Sequence, residues 1–538
     1  MRFVLKLTFI VVSLMSALSC RKGTSWDVDA SIPLAKSHLN ISNFFGDSIF
    51  KADPTGLLHI AFSKDIIDFT IDSLVKLPDT TVTLGFTSPF LSQLNPGTTI
   101  FSNSMSNDKE ITFNVVNNVE LNRAIVRKGK LKVEYFNSYA QPLNFNYEIN
   151  SANLWGNVLH INQTISGGSV SNPATLSKTY DLDGYVINLT GLSYQKVNTL
   201  VQTYTISTDP SGTADQLQVG QGLSVKLSFV DVIPEYVQGY FGQQDLSFGP
   251  DSSLIGLLEN FKPNNLALTQ SAINFRIINE FGVDLSSSIK SVKSINTTTV
   301  SPGVVTLNAG NLLQSINVNR AGKTNNASNP VFPWLKQINI NNSNSNLNPF
   351  LENLPNYLGY SVVAKLNPLG NVSAGNDFAY YGHGLKVIAD IDIPFALSAN
   401  YFNLINFAKV DLTQLKELKN VNSCDINLQA RNNYPFTAKV QGYMINDQNQ
   451  VIDSLFTWNN NSIQSALTDN SNTVLNYTDT KLVASFNKSK MDNLMQCKQI
   501  KFVTYLYLPN QPTPIKIMDT SYLDLIVSAR VDYNINTK

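Results

Sequence analysis

Gly129–Asn150 reads GKLKVEYFNSYAQPLNFNYEIN, and two later stretches share its plan: AINFRIINEFGVDL (Ala272–Leu285) and CDINLQARNNYPFTAKVQGYMIN (Cys424–Asn446). In each, a small residue opens an alternating run that ends on Asn, with an aromatic two residues later: Asn137 and Tyr139, Asn279 and Phe281, Asn432 and Tyr434. Leu131, Val133 and Tyr135 alternate with Lys130, Lys132 and Glu134, the period-two pattern of a strand with one wet face. The block reads as a corner between two strands. Its Asn is expected to take a left-handed turn, Pro142 or Pro435 to set the exit, and the aromatic to cap the core. These residues are architectural in this reading.

The anchors recur roughly every 150 residues, the size of one small sandwich domain. Related strands close each module: GLSVKLSFVDVIP (Gly222–Pro234), GLKVIADIDIP (Gly384–Pro394) and YLDLIVSARVDYNI (Tyr522–Ile535), with a similar piece, WDVDASIPLA, at Trp26–Ala35. Proline cannot continue a central strand, so Pro234 and Pro394 are read as boundaries. Lys196, Val197 and Leu200 align with Lys490, Met491 and Leu494 and predict a short helix in the first and third modules. The expected organisation is all-β, tandem antiparallel sandwiches with a few short helices. Its segments are a signal at 1–19, an N-terminal anchor and β segment at 20–109, and modules at 110–235, 236–397 and 398–538. An Asn-rich insertion, 323–348, reads as an exposed loop. The fragment 398–538 is expected to fold alone.

Lys and Arg total 39, as do Asp and Glu, and charged residues make up only 14% of the 538. That balance argues against nucleic acid as a partner. At the N-terminus, Arg2 and Lys6 supply positive charge, Phe3–Leu18 supplies a short apolar stretch, and Ala17-Leu18-Ser19 precedes Cys20. The stretch is short for a membrane span. It reads either as a lipoprotein signal, with Cys20 taking the lipid, or as an ordinary secretory signal cleaved after a small residue. Cys20 modified by lipid leaves Cys424 and Cys497, which are either a disulfide or two buried thiols. A bridge over roughly 70 residues would contribute about 4 kcal/mol.

Catalytic patterns are sparse. His38, His59, His160 and His383 show no metal-ligand spacing, no nucleophile elbow or phosphate loop occurs, and neither metal nor cofactor is expected. Tyr380, Tyr381 and His383, in FAYYGHG (Phe378–Gly384), are the candidate ligand-binding cluster, either stacking on a sugar or partner protein or packing on the adjacent sheet. Asp209–Asp215 (DPSGTAD) reads as a polar turn or a partial calcium loop.

The alternating strand followed by Asn-x-aromatic and proline resembles the late-embryogenesis-abundant type-2 sandwich, which implies an immunoglobulin-like β-fold with no typical catalytic site. MSALSC followed by Trp26-Asp27-Val28-Asp29 and Pro33-Leu34 is similar to large uncharacterised lipoproteins of Bacteroidota, which implies an envelope location. The expected function is a non-catalytic outer-membrane lipoprotein, lipid-anchored and on the periplasmic face, acting as a scaffold or protein-binding subunit of an envelope complex. The alternatives are a glycan-binding or adhesive surface protein and a hydrolase with an unrecognised carboxylate pair.

Overall fold

The computed structural model describes residues 25–41, 50–71, 79–105, 109–254, 266–298, 303–399, 401–418, 423–457, 461–470, 472–507 and 514–536. Among the described residues, strand accounts for 60% and helix for 6%, which makes the fold all-β. Two compact units are formed, one from 1–61, 256–271 and 392–538, the other from 62–255 and 272–391.

In the first unit, one sheet runs Ser25–Leu39, Leu523–Asn536, Cys424–Asn432, Thr478–Phe486, and a second runs Tyr401–Lys409, Gln499–Tyr507, Thr437–Ile445, Val451–Ser454. In the second unit the same order recurs: Leu58–Thr70, Gly384–Pro394, Ala272–Asn279, Trp334–Asn341 in one sheet, and Asp245–Leu254, Tyr357–Leu366, Leu285–Asn296, Gly303–Thr306 in the other. A third copy follows the pattern too. Thr80–Thr87 pairs with Gly222–Tyr240, which pairs with Glu120–Asn137, which pairs with Ala174–Asp181. Its other half runs Thr99–Ser102, Thr203–Thr208, Leu143–Leu154, Asn157–Ile165, and the short strand Val186–Asn188 bridges the two halves.

Each sandwich therefore takes strand from the N-terminal segment: Thr80–Thr87 and Thr99–Ser102 for the first copy, Leu58–Thr70 for the second and Ser25–Leu39 for the third. The segment 20–109 supplies strands to all three copies. This explains the likeness of Trp26–Ala35 to the closing strands: it lies antiparallel beside one of them, from Ser25 opposite Asn536 to Leu39 opposite Leu523.

The repeated block is a corner, and its two strands enter different sheets in the second and third copies. Its asparagine acts through its side chain: Asn137, Asn279 and Asn432 are fully buried, and none takes the expected left-handed backbone. Each Oδ1 accepts from the backbone N–H two residues on, at Tyr139 (2.9 Å), Phe281 (3.0 Å) and Tyr434 (2.9 Å). Each Nδ2 donates to the carbonyl four residues on, at Gln141, Val283 and Phe436, all 3.0 Å away. Nδ2 donates again to a returning loop, at Ser166 O (2.9 Å), Asn319 O (2.8 Å) and Gln464 O (2.8 Å). That loop bonds once more, Gly168, Ala321 and Ala466 donating to the carbonyls of Tyr139, Phe281 and Tyr434. The residue after each Asn donates to the closing strand, at Gly222, Gly384 and Tyr522 O, each 2.9 Å. A buried amide that fills both ends of its hydrogen-bonding capacity fixes one geometry, and the aromatic beside it is fully buried in all three copies.

Several expectations need correction. Pro234 lies inside Gly222–Tyr240, where register shifts between Val230 and Tyr236 remove the ladder bonds a proline would break; Pro33 sits at a similar shift before Ala35. The helix expected at Lys196–Leu200 is absent: Tyr194 and Asn198 have φ of 57° and 52°, and Leu200 belongs to strand Thr199–Val201. Its counterpart does form, as Lys488–Met495, with Asn487 accepting from Lys490 N–H and with Met491 and Leu494 buried. The Asn-rich insertion contains strand Trp334–Asn341, paired over eight positions with Ala272–Asn279 and burying Ile338 and Ile340.

Cys424 and Cys497 are free, buried thiols, so the expected disulfide is not formed. Cys424 Sγ faces Met491 Sδ at 3.1 Å, and Cys497 Sγ faces Gln499 O at 3.2 Å. Burial pushes the Cys424 thiol up to about 11, which keeps it protonated and unreactive. Both thiols should resist a thiol reagent in the folded protein and react fully once it is denatured. A crosslinked peptide containing both would contradict this.

In the second unit, Arg276 bridges to Asp390 beside Ser63 and holds its carboxyl below the usual range. A depressed folded pKa gives stability that is present above the unfolded value near 4 and fades as pH falls through the folded one. Arg276→Gln should thus destabilise at pH 7 and matter progressively less below about pH 4, measured by denaturant unfolding at both.

Candidate functional site

The Phe378–Gly384 segment begins on strand Asp377–Tyr380, which pairs antiparallel with Gly222–Tyr240, Tyr236 opposite Tyr380 and Gln238 opposite Phe378. Its start is anchored by Asp377, fully buried, which accepts from Phe241 N–H at 3.1 Å and Asn367 Nδ2 at 2.8 Å. Gly282, beside the second corner, lies flat on the Phe378 ring, where a Cβ would come within 2.0 Å.

The expected site residues are brought near one another but are engaged in packing. The Tyr380 ring leans on Tyr236 with centroids 4.6 Å apart, at the edge of a cluster of Tyr236, Phe378, Ala321 and Val331. Tyr381 has one face covered by the Arg127 guanidinium, 4.0 Å from its centroid, and Arg127 is paired with Glu235 at 2.8 Å. His383 Nδ1 is 3.4 Å from Glu280 Oε1. This is the packed arrangement of the two the sequence allowed. Cys20 lies outside the described residues.

Sequence reading missed Lys323, whose ammonium donates to Tyr236 OH (2.5 Å) and Gln238 Oε1 (3.1 Å) and sits over the Phe378 ring. Loss of hydration lowers its pKa, and burial pushes the Tyr236 phenol up to about 12. Tyr236 OH also donates to Gln238 Oε1 at 2.6 Å. Gln238 in turn lines a polar groove of about 700 Å³ on the same unit.

Asp209 accepts from the N–H and hydroxyl of Ser211, an Asx turn, and among the described residues no group of three or more His, Cys, Asp or Glu side chains could hold a metal ion. Each of the four histidines lies beside a carboxylate: His38 by Asp524, His59 by Asp392, His160 by Glu148 and His383 by Glu280.

No protein-family model matches the chain, and no curated protein matches it by sequence. Among solved structures, a secreted-protein candidate from Parabacteroides distasonis is 12% identical over 55% of this chain and 82% of its own, with a TM-score of 0.26. A structure of infectious bursal disease virus, Gx strain, is 12% identical over 96% of this chain and 82% of its own, with a TM-score of 0.09.

Proposed function

We propose that the chain is an exported, non-catalytic scaffold or protein-binding subunit, anchored by lipid at Cys20 on the periplasmic face of an outer membrane. The observation that supports a binding role best is strand Trp334–Asn341, at the edge of its sheet and paired on one side with Ala272–Asn279. Phe332 and Leu335 stand 71% and 64% exposed beside that edge. Asn344 Nδ2 donates to Asn339 O and covers one end, leaving the stretch before it uncapped among the described residues. An unpaired edge with outward apolar side chains suits a partner that adds a strand. No helix among the described residues is long and apolar enough to cross a membrane.

Crosslinking in native membranes tests the scaffold reading. A stoichiometric partner should be recovered with the natural chain and lost in Phe332→Ser/Leu335→Lys. A chain that purifies as a lone monomer contradicts it. The anchor is tested separately: a fatty-acid probe should label the natural protein and not Cys20→Ala.

A further inference from the structure

We propose that the polar groove on the first sandwich is a binding site for an acidic glycan, with Arg123 reading a carboxylate and Asn150, Asn153 and Asn188 meeting sugar hydroxyls beside the aromatic rim of Tyr194. This goes beyond the scaffold reading and uses a different surface from the strand Trp334–Asn341.

Strand register builds the floor. Arg123 lies opposite Asn188 on one side and opposite Gln238 on the other, so three polar side chains cross three adjacent strands in one row. A register shift builds the wall: Asn153 pairs with Val158 and Ile149 with Leu159, so Asn150 to Ala152 are released from that partner, while Ala152 and Asn153 pair with Ile187 and Val186 on the other side. The released Asn150 and Ser151 line the groove together with Asn153.

The rim is held in place before any ligand arrives. Glu110 accepts from Leu192 N–H at 2.8 Å and from the Lys196 ammonium, and these bonds hold its carboxyl below the usual range. Gly191 has φ 67° and passes so close to Glu110 that a Cβ would meet Oε1 at 2.6 Å. This presents Tyr194, with φ 57° and 76% of its surface exposed. Trp155, two residues beyond Asn153, is 93% exposed in a hairpin that Asn153 itself secures by accepting from Gly156 N–H at 2.7 Å.

The lining selects the ligand class. It contains no carboxylate, and Arg123 has no ion pair or hydrogen bond among the described residues; nor has the Asn150 carboxamide. An apolar ligand would strip water from these groups without replacing it, and a cation would find no counter-charge. Sugar hydroxyls pair with amides, sugar faces stack on exposed aromatics, and a guanidinium takes a carboxylate in two parallel bonds.

Calorimetric titration of the full mature chain with a galacturonate hexamer, a mannuronate hexamer and the neutral cellohexaose tests the proposal. At least one uronate should bind, with cellohexaose at least roughly tenfold weaker. Arg123→Gln should lower uronate affinity by about tenfold or more, and Tyr194→Ala should also weaken it, both with unchanged circular dichroism and unfolding midpoint. Failure of both uronates to bind, equal binding of cellohexaose, or unchanged uronate affinity in Arg123→Gln would overturn the site. Partner recovery that persists in Arg123→Gln keeps this outcome separate from the fate of the scaffold reading.

Discussion

Replacing Asn432 by alanine should lower the unfolding free energy of the first unit by about 3–5 kcal/mol, because each buried group left without its partner costs about 1–3 kcal/mol. The groups left behind are Tyr434 N–H, Phe436 O and Gln464 O, all bonded to that one side chain. Asn432 is fully buried, so water does not replace the lost bonds without opening the corner. Asn470→Ala, at an exposed turn, is the control and should stay within about 0.5 kcal/mol. Denaturant unfolding measures both, and similar midpoints for the two variants would refute the role given to the corner.

The second large effect concerns the donated strand. A fragment 398–538 lacks Ser25–Leu39 and leaves the whole length of Leu523–Asn536 without that neighbour. Ile32, Leu34 and Leu39 are buried, and losing three such side chains forfeits about 5–9 kcal/mol, comparable to the entire stability of a domain. The fragment should therefore be unfolded or aggregated, contrary to the expectation from sequence. A synthetic peptide spanning 25–41 should restore its near-ultraviolet dichroism. A fragment that folds cooperatively without the peptide would show that the strand is dispensable.

The corner was legible because its signal is local. Asn, a two-residue gap and an aromatic lie within one short stretch, and the alternation of Leu131, Val133 and Tyr135 survives into the fold as buried positions. The clamping loop was not legible, because Ser166, Asn319 and Gln464 contribute a backbone carbonyl, and any residue carries one. Pro234 misled for a related reason: proline marks a missing ladder bond, and a bulge removes such a bond as well as a strand end does. In Trp334–Asn341, asparagines at alternate positions masked the strand that Ile338 and Ile340 were signalling.

Tyr380, Tyr381 and His383 are close in sequence and were found, yet Tyr380 leans on Tyr236, Arg127 covers one face of Tyr381 and His383 lies beside Glu280. Arg123, Asn188 and Gln238 are far apart in sequence and become neighbours through strand register. No motif encodes that row.

One repeated asparagine clamp holds all three sandwiches. Residue-resolved hydrogen exchange of the Tyr139, Phe281 and Tyr434 amides tests it most directly. Each N–H donates to a buried side-chain oxygen, so all three should exchange only through cooperative opening of their sandwich, with protection matching that of the core strands around them. Rapid exchange of any of the three, at the rate of an exposed turn while the surrounding strands stay protected, would contradict the shared clamp.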